Sequence, residues 1–385
     1  MQHTTQVALV RELLRHLDAG TTALAESAMR NRVDVYTDPD RFERERSMIR
    51  RSPQFFGLSC RLPEPGSYAT DDDAGIPVLL VRGDDGRVRS FLNVCRHRGS
   101  RLVSGQGLER RTFVCPYHGW TYDCRGRLAG VPDRESFAGI DLSDRNLVEL
   151  PALEWGGMLW SALDPSIALD PDRFLAGLGQ ELASYRFEDY VHYARRTLVR
   201  RMNWKMVIDT FLESYHFPVL HPKTVHPLFF SNLSLFEPFG PHLREVFPRR
   251  TIVELRDRPE SDWDLVTHTA IIYVLFPSTV VVMQGDHVEM WRIFPDSDRW
   301  DSSVVHLDFY IPEPAGTGSA RGHWDRNLDL VLRTVEDEDF PNGEGIQSGF
   351  RANAQTEVVY GRNEPALQHW QRTVTEALAN RTDSD

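Results

Sequence analysis

Apolar and polar positions alternate with a helical period at the start of the chain. Leucines recur on one helix face at positions 9, 13, 14 and 17, which predicts an amphipathic helix over residues 7–30. A second, shorter helix is predicted to begin near Pro39, where Asp38 or Asp40 can cap the first turn. The first 45 residues are therefore expected to form a helical segment.

After this segment the pattern changes to short apolar runs of strand length. The runs "PVLLVRG", "VRSFLNV" and "RTFVCP" are separated by turns such as "GDDG", which predicts a small all-β module over residues 62–115. The same pattern of short apolar runs continues through "LVELPALEWGGMLWSALDP". The composition shifts between Pro165 and Pro171. We place a domain boundary at this shift, after residue 165.

The remaining part of the chain mixes both patterns. Helices are predicted near 172–185, within 203–222 and over 324–338. Strands are predicted at 193–201 and in the runs "TIVELRD", "THTAIIYVLFPSTVVVMQGDHVEMWRIFP" and "SSVVHLDFYIP". Segregated helices and antiparallel-looking strands indicate the α+β class.

Composition and charge exclude several classes of protein. The 385 residues carry a formal net charge of −12, and the pI is near 5.6, whereas a nucleic-acid binder needs a basic surface. No apolar run reaches the roughly 18 residues that a membrane span needs. The N-terminus lacks the pattern of a signal peptide. We therefore expect a cytoplasmic protein with neither a nucleic-acid nor a membrane partner.

Two of the four cysteines occur beside histidines at regular spacing. Cys95-x-His97 is followed, after seventeen residues, by Cys115-x-x-His118. A zinc finger has similar ligands, but it usually pairs cysteine with cysteine and histidine with histidine. Here each half supplies one thiolate and one imidazole, which suits a Rieske [2Fe–2S] cluster better than zinc or a disulfide.

The sequences "CRHRGSRL" and "CPYHGWTYDCRGRL" resemble the Rieske domain of ring-hydroxylating oxygenase α subunits. The resemblance implies that Cys95, His97, Cys115 and His118 bind the cluster. Respiratory Rieske proteins carry an additional cysteine in each loop, and Ser100 and Tyr117 occupy those places here. The other two cysteines, at positions 60 and 124, are expected to be unpaired core thiols.

The stretch "NWKMVIDTFLESYHFPVLHP" carries a second group of candidate ligands. Glu213 and His216 are three residues apart and are expected to share a helix face, whereas Pro218 should break the helix and return His221 toward the same point. Two imidazoles and a distant carboxylate would form the facial triad of non-haem Fe(II) oxygenases. From these residues alone, histidines satisfied within an aromatic core remain an equal alternative.

The same stretch resembles the iron-binding motif of the oxygenase family. The resemblance implies that His216 and His221 bind the iron and that Glu213 links this iron to a cluster histidine of a neighbouring subunit. Asp209 and Thr210 depart from the usual Glu and Asn. These departures leave the ligand positions intact.

The third iron ligand is expected in "EDFPNGEGIQSGF", which resembles the C-terminal motif of the family. Asp339 is the match, and Asp337 is the reserve candidate because acidic residues occupy positions 336–339. A charged helix end without a metal role is the alternative. The sequence "PNG" at 341–343 is expected to interrupt the helix.

The resemblance covers nearly the whole chain and implies a fold and an activity. The fold would be α+β, with a helical segment at 1–45 packed on the catalytic domain, an all-β Rieske domain at 46–165 and a helix-grip (START-like) catalytic domain at 166–385. The activity would be that of a mono- or dioxygenase that hydroxylates or dealkylates an aromatic or other hydrophobic small molecule. Oxidation of a quaternary ammonium compound is the alternative, because an aromatic cage would also suit its charge.

Cofactors and partners follow from the same resemblance. They are a [2Fe–2S] cluster, mononuclear Fe(II), O2 and NAD(P)H, with electrons delivered by a reductase and, in some systems, a ferredoxin. A C3 homotrimer is expected, and a small β subunit is left open. A Rieske electron carrier with a non-catalytic binding domain and a carrier of hydrophobic ligands are the competing classes.

Overall fold

The computed structural model describes residues 1–296 and 299–379, which separate into two compact units. The first unit comprises Met1–Met48, Leu175–Tyr185 and the described residues from Asp189 onward. The second comprises Ile49–Phe174 and Arg186–Glu188. The domain limits expected after residues 45 and 165 lie near these breaks and stay a prediction.

Ten α-helices and twenty strands occur in the described residues. The helices are α1 His3–Ala19, α2 Asp34–Thr37, α3 Pro39–Arg50, α4 Pro171–Phe174, α5 Gly179–Ala183, α6 Trp204–Asp209, α7 Phe217–Leu220, α8 Gly318–Arg333, α9 Phe340–Arg351 and α10 Pro365–Ala379. The strands are β1 Met29–Arg32, β2 Gln54–Leu58, β3 Tyr68–Asp71, β4 Val78–Arg82, β5 Val88–Leu92, β6 Gln106–Gly107, β7 Thr112–Val114, β8 Thr121–Asp123, β9 Leu128–Gly130, β10 Glu149–Leu150, β11 Ala152–Trp155, β12 Met158–Ser161, β13 Val191–Arg200, β14 Leu235–Phe239, β15 His242–Pro248, β16 Thr269–Leu275, β17 Thr279–Met283, β18 Val288–Asp296, β19 Arg299–Ile311 and β20 Glu357–Tyr360.

Short 3-10 helices and one π-helical segment complete the backbone. The 3-10 helices are Ser59–Arg61, Arg134–Phe137, Phe187–Asp189, Arg250–Asp257 and Glu260–Asp262. The π-helical segment is Thr334–Asp339, between α8 and α9.

The second unit is built from antiparallel sheets. Their strand orders are β10-β5-β4-β3-β6, β11-β12-β2 and β7-β8-β9. In the largest, β4 pairs with β5 so that Leu80 lies opposite Ser90. Apolar side chains from the sheets form two buried clusters. The all-β module expected from the short apolar runs is therefore present.

The first unit contains a seven-stranded antiparallel sheet of order β13-β19-β18-β17-β16-β15-β14. From β14 to β19 each strand pairs with the next, and β13 joins at the β19 edge. Helix α10 contacts β14 and β15, and α6 contacts β18 and β19. Trp204 of α6 and Trp370 of α10 are fully buried and meet edge to face at 5.8 Å. These helices therefore cover the sheet and share its core.

The N-terminal segment joins the first unit through a buried ion pair. The Lys205 ammonium of α6 donates to the Glu45 carboxylate of α3 at 2.6 Å, and the Trp204 indole donates to the same oxygen at 2.9 Å. Both charged side chains are completely buried. Because a buried charge needs a partner, removal of either one would strongly destabilise this contact.

Two predicted elements are wrong. The first helix ends at Ala19 instead of continuing to residue 30, because Gly20 takes a left-handed conformation (φ +61°) that ends the helix. The run "TIVELRD" forms a 3-10 helix instead of a strand. Its Ile252 and Leu255 are buried and Val253 is exposed, so three-residue spacing and not alternation matches its environment.

The stretch around the predicted iron ligands also differs from its prediction. Helix α6 ends at Asp209. Glu213 lies in the irregular segment that follows, and His216 caps the N-terminus of α7, so the two residues do not share a helix face. Pro218 occupies the first turn of α7, where it begins a helix instead of breaking one. The expected interruption by "PNG" is likewise absent, because Pro341 stands in the first turn of α9.

No helix of the described ranges combines the length and apolarity that crossing a membrane requires.

Candidate metal centres

Two loops of the all-β unit carry the Cys/His pairs and share one backbone conformation. In the first, the Gly99 N–H donates to the Cys95 carbonyl at 3.0 Å, and the Cys95 N–H donates to the Ser100 carbonyl at 2.8 Å. The loop that starts at Cys115 repeats both bonds at 3.0 and 2.7 Å. Gly99 and Gly119 have φ values of +79° and +71°, which glycine adopts without strain.

The loops bring two buried thiols and two imidazoles together. The His97 and His118 ring centroids are 4.7 Å apart, and the Trp120 indole stacks on His97 at 4.7 Å. The Nδ1 atom of His118 is buried and has no hydrogen-bond partner among the described residues. A buried polar atom of this kind needs a ligand. A cluster bound through Nδ1 would satisfy it, so the side chains fit the expected group.

The spacing of these four side chains differs from that of a single-ion site. Within residues 1–296 and 299–379, only one group of three or more metal-binding side chains has ligand atoms within 4.8 Å of one another, and it lies elsewhere. A cluster of two irons takes one ligand pair per iron and needs the wider spacing. A structural zinc site is therefore disfavoured. No cysteine forms a disulfide, and Cys124 is buried.

The compact ligand group consists of His216, His221 and Asp339. The Nε2 atoms of the two histidines are 3.1 Å apart, and His221 Nε2 lies 2.9 Å from Asp339 Oδ1. His216 Nε2 lies 3.6 Å from the same oxygen. The His221 side chain is 1% exposed and that of Asp339 is 9% exposed. The structure therefore brings together the three residues predicted as iron ligands.

Each histidine of this group forms a hydrogen bond through Nδ1, and this bond determines that its Nε2 faces the other ligand atoms. His216 Nδ1 bonds to the Glu213 carboxylate, and His221 Nδ1 bonds to Glu338 at 2.6 Å. Because carboxylates only accept, both Nδ1 atoms must donate, which leaves both Nε2 atoms as acceptors. Two imidazole lone pairs and a carboxylate oxygen then face one another. With both rings neutral, this arrangement suits a cation and fits Fe(II).

The π-helical segment explains how neighbouring carboxylates both reach the histidines. Phe340 N–H bonds to the Val335 carbonyl, five residues earlier, so this turn is wider than an α-helical one. Asp339 therefore meets the Nε2 atoms while Glu338 meets His221 Nδ1. Asp337, the reserve candidate, is exposed and outside the ligand group.

Sequence reasoning missed Glu338. Its carboxylate accepts from His221 Nδ1 and from the Thr224 hydroxyl, both at 2.6 Å. The available signal was the acidic run at 336–339, which did not distinguish one carboxylate from another. Glu213 was predicted as a site residue. Its carboxylate accepts from His216 Nδ1 and also from the Tyr215 and His216 backbone N–H groups at 2.5 and 3.1 Å.

Asp209 lies at the C-terminal end of α6 in a polar network near the site. Its carboxyl group accepts from the Tyr36 hydroxyl at 2.6 Å and from Gln371 Nε2 at 2.8 Å, and Tyr36 bonds to the Tyr360 hydroxyl at 2.8 Å. Burial raises the pKa of Asp209 to about 7, although the Tyr36 and Gln371 bonds and the Lys205 charge oppose the shift.

A cavity of about 900 Å3 opens beside the ligand group. Its lining includes apolar side chains, four of them aromatic, namely Phe211, Phe217, Leu228, Phe229, Phe247, Ala270, Ile272, Val282, Val331 and Val335. Other parts of the lining are polar, namely Arg249, Thr251, Glu254, Arg258, Thr267, His268, Gln284, Asp286, His287, Glu289 and Asn327. The volume and the lining are those of a site for a small organic molecule.

Family models match both units of the chain. "Ring hydroxylating alpha subunit (catalytic domain)" matches residues 187–380, and "Rieske [2Fe-2S] domain" matches residues 53–149. These matches confirm the predicted α+β class with an N-terminal Rieske domain and a C-terminal catalytic domain.

Curated relatives match parts of the chain. The oxygenase subunit of glycine betaine monooxygenase from Chromohalobacter salexigens is 38% identical over 197 residues, which is 50% of this chain and 43% of that protein. The oxygenase subunit of carnitine monooxygenase from Escherichia coli is 35% identical over 190 residues, 49% of this chain and 50% of that protein. Chloroplastic choline monooxygenase from Spinacia oleracea is 28% identical over 282 residues, which is 72% of this chain and 62% of that protein. The chain spans about half the length of the curated relatives it matches.

Solved structures share the fold at low identity. A quaternary ammonium Rieske monooxygenase in complex with L-carnitine has a TM-score of 0.78 at 20% identity, with 92% of this chain and 96% of that chain covered. Naphthalene 1,2-dioxygenase from Rhodococcus sp. bound to indole has a TM-score of 0.75 at 18% identity, with 98% of each chain covered.

Proposed function

Because the chain belongs to the ring-hydroxylating α-subunit family of Rieske oxygenases, we propose that it is the terminal oxygenase for a quaternary ammonium compound. The observation that carries the oxygenase activity is the convergence of two imidazole Nε2 atoms and one carboxylate oxygen beside a cavity of about 900 Å3. An electron carrier would need neither the triad nor the cavity.

Each set of ligands has a proposed role. Cys95, His97, Cys115 and His118 would hold the [2Fe–2S] cluster, and His216, His221 and Asp339 would hold Fe(II). When bound, these groups supply electron storage and O2 activation. Glu213 and Glu338 keep the imidazoles in the tautomer that binds metal through Nε2. We also infer that Glu213 links its histidine to a cluster histidine of a neighbouring subunit.

The aromatic side chains beside the two histidines favour an ammonium compound as the substrate. Phe217 lies beside both iron-ligand histidines, with ring centroids 5.1 Å from His216 and 5.9 Å from His221. Phe229 and Phe247 pack near Phe217 at 6.3 and 5.8 Å. Ring faces attract an alkylammonium ion and also exclude water from its methyl groups. The curated relatives are named for glycine betaine, carnitine and choline.

An aromatic hydrocarbon is the second candidate substrate. The apolar wall near the histidines suits it, and the solved dioxygenase with the same fold is named for naphthalene. This candidate leaves the polar part of the lining without a role. We therefore rank it second.

The proposal also covers the electron-transfer partners, the cellular location and the quaternary structure. A reductase using NAD(P)H, with or without a ferredoxin, would deliver electrons in the cytoplasm. The subunits would form a C3 trimer in which neighbouring chains cooperate. A small β subunit is compatible with this arrangement.

Turnover with defined substrates tests the function. Purified protein, a Rieske-system reductase, NADH and O2 are combined with carnitine, glycine betaine, choline or naphthalene, and products are identified by mass. We expect substrate-dependent O2 uptake and an oxidised or dealkylated ammonium product, and no product from the His221→Ala control. Product from naphthalene alone would favour the second candidate. An iron content of about two per chain, rather than about three, would favour an electron carrier.

A further inference from the structure

We propose that Arg249 binds a carboxylate group of the substrate, so that the cavity selects ammonium carboxylates over ammonium alcohols. This inference rests on the proposed function and names the substrate class of the same cavity. Arg249 follows β15 at the position where the chain enters the 3-10 helix Arg250–Asp257. Its side chain lines the cavity.

Arg249 has an incomplete set of partners. Its Nη2 donates to Gln284 Oε1 at 2.5 Å, and its Nε donates to the Thr269 carbonyl at 3.4 Å. The guanidinium lies 4.7 Å from the centroid of the Phe229 ring. Among the described residues, no carboxylate comes within 4.0 Å of its nitrogens, and Nη1 makes no hydrogen bond. The guanidinium therefore keeps donors available for a ligand.

Asp286 and Glu289, the acidic side chains whose charges act on Arg249, accept hydrogen bonds from other donors. Asp286 accepts from His287 Nδ1 at 2.8 Å and from His323 Nε2 at 2.6 Å. These bonds, that of His287 first, lower the pKa of Asp286 to about 2. Glu289 accepts from the Trp291 indole at 3.0 Å. Neither carboxylate is thus positioned as the ion-pair partner of Arg249.

The electrostatics of the guanidinium favour an anionic ligand. Burial lowers the pKa of Arg249, and the charges of Asp286 and Glu289 compensate only in part. The side chain nevertheless stays protonated, because a guanidinium does not lose its proton in proteins. A partly desolvated cation without an ion-pair partner is unfavourable. A ligand carboxylate would remove this penalty and could bind the planar fork through two parallel hydrogen bonds.

Aromatic rings connect Arg249 with the iron-ligand residues. Phe229 lies under the guanidinium, Phe217 lies 6.3 Å from Phe229, and His221 lies 5.9 Å from Phe217. A zwitterion could place its ammonium group against Phe217 and its carboxylate at Arg249. Its oxidisable N-alkyl carbon would then lie beside the iron ligands. An ammonium alcohol such as choline offers no anion to Arg249.

Binding of three matched probes tests the proposal by isothermal titration calorimetry on the iron-loaded protein without reductant. γ-Butyrobetaine carries both charges, its methyl ester carries only the ammonium, and 5,5-dimethylhexanoate carries only the carboxylate. For the unmodified protein we expect the acid to bind about 10- to 100-fold more tightly than the ester, the range of a charged hydrogen-bonded pair. Equal affinity of acid and ester would overturn the proposal, as would the absence of measurable binding for both carboxylates.

Two variants at Arg249 and one control complete the test. Arg249→Met should abolish the preference for the acid while retaining affinity for the ester, and Arg249→Lys should keep part of the preference because the charge remains. Arg250→Met is the matched control, since Arg250 is exposed over Phe230 and lies outside the cavity lining. A preference that persists in Arg249→Met, with an unchanged circular dichroism spectrum, would contradict the proposal.

The same probes separate this inference from the proposed function. If the ester fails to bind while 5,5-dimethylhexanoate binds in an Arg249-dependent manner, the ammonium substrate is wrong and the carboxylate site stands. If the ester binds as tightly as the acid and ammonium compounds are turned over, the proposed function stands and the role of Arg249 is wrong.

Discussion

Glu213 and Glu338 each accept a hydrogen bond from the Nδ1–H of one of the two histidines proposed to bind iron. A carboxylate in this position orients the ring and makes Nε2 a better ligand. The two carboxylates differ in their other contacts. The Glu338 carboxylate also accepts a hydrogen bond from the Thr224 hydroxyl, whereas the Glu213 carboxylate accepts hydrogen bonds from two backbone N–H groups of its own loop. The two residues can therefore be altered separately.

Substitution of Glu338 should weaken iron binding. Glu338→Gln removes a charged acceptor from His221, and we expect the affinity for Fe(II) to fall by about 10- to 100-fold. Anaerobic titration of the apo-protein with Fe(II) measures the effect. Glu336→Gln, in the same acidic run but outside the ligand group, is the control. Equal affinities in the two variants would show that the bond to His221 has no effect on the metal.

Substitution of Glu213 should slow electron transfer even when the iron has been restored. Glu213→Gln, like Glu338→Gln, replaces the charged acceptor of one histidine by an amide oxygen, so the variant is loaded with iron before the measurement. Only Glu213→Gln also removes the charge proposed to face the neighbouring subunit. We expect reoxidation of the reduced protein by O2 and substrate to slow on the order of tenfold or more. Stopped-flow absorbance follows the reaction, with Glu338→Gln reloaded with iron as the comparison. An unchanged rate would refute the bridging role.

Asp209 should make stability depend on pH. Its pKa is raised to about 7 in the folded protein from 3.8, so the folded state binds the proton more tightly. The stability contributed by this group is therefore full below about pH 4 and is lost as the pH rises to about 7. The loss is on the order of 2–4 kcal/mol.

Asp209→Asn removes this titration. The midpoints of thermal unfolding are measured at pH 5 and pH 8. Relative to the unmodified protein, the midpoint of the variant should be higher at pH 8 than at pH 5. Asp337→Asn, at an exposed position, should show no such gain. The same difference between variant and parent at both pH values would mean that Asp209 is ionised throughout.

At the scale of elements, the wide turn of residues 334–339 places Asp339 at the proposed iron site. Pro341 follows it in the first turn of α9. Proline lacks the N–H for an α-helical bond to residue 337, and its ring clashes with that carbonyl. These two properties disfavour α-helical geometry in the preceding turn and stabilise the wider one.

Pro341→Ala should therefore relax the turn toward α-helical geometry and move Asp339 away from the histidines. We expect iron affinity to fall roughly tenfold with little change in helix content. Fe(II) titration and far-ultraviolet circular dichroism measure the two effects. Pro365→Ala, at the start of α10, is the matched control. Unchanged affinity would show that packing alone holds the turn.

Sequence patterns predicted the elements whose burial follows one simple period. The apolar runs of β16 and β17 are buried along their full length, and both were expected as strands. The prediction was wrong where a short apolar run is compatible both with the two-residue period of a strand and with the three-residue period of a 3-10 helix. Ile252 and Leu255 fit either a strand or a 3-10 turn, and only their neighbours decide between them.

Proline was misread for a related reason. Pro218 and Pro341 were expected to interrupt helices, yet each lies in the first turn of a new one. The residues predicted as iron ligands nevertheless lie together, because motif resemblance depends on residue spacing and not on helix boundaries. Glu338 was missed because the π-helical turn that brings it to His221 has no recognisable pattern in an acidic run.

At the scale of the whole molecule, the two proposed sets of metal ligands belong to different compact units of one chain. Cys95, His97, Cys115 and His118 lie in the second unit, and His216, His221 and Asp339 lie in the first. The proposed turnover would require both sets. In a head-to-tail C3 trimer, the cluster of one chain would serve the iron of its neighbour.

Complementation between inactive variants tests this arrangement. Cys95→Ser lacks a cluster ligand and His221→Ala lacks an iron ligand, so neither protein alone should turn over. Coexpression of the two, each with a different affinity tag, gives mixed trimers that can be isolated by tandem purification. Tandem purification excludes both homotrimers, and in every mixed trimer one interface in three joins an intact cluster to an intact iron site. Mixed trimers should therefore recover about a third of full activity if electrons pass between subunits.

Transfer within one chain gives a different result. No chain in the mixture has both sites intact, so activity would stay at background. A Cys95→Ser/His221→Ala double variant mixed with unmodified chains controls for subunit exchange, because half of all chains are then intact. If that control is active and the mixed single variants are not, electrons travel within each chain, and the proposed role of Glu213 as a bridge to the neighbouring subunit is excluded.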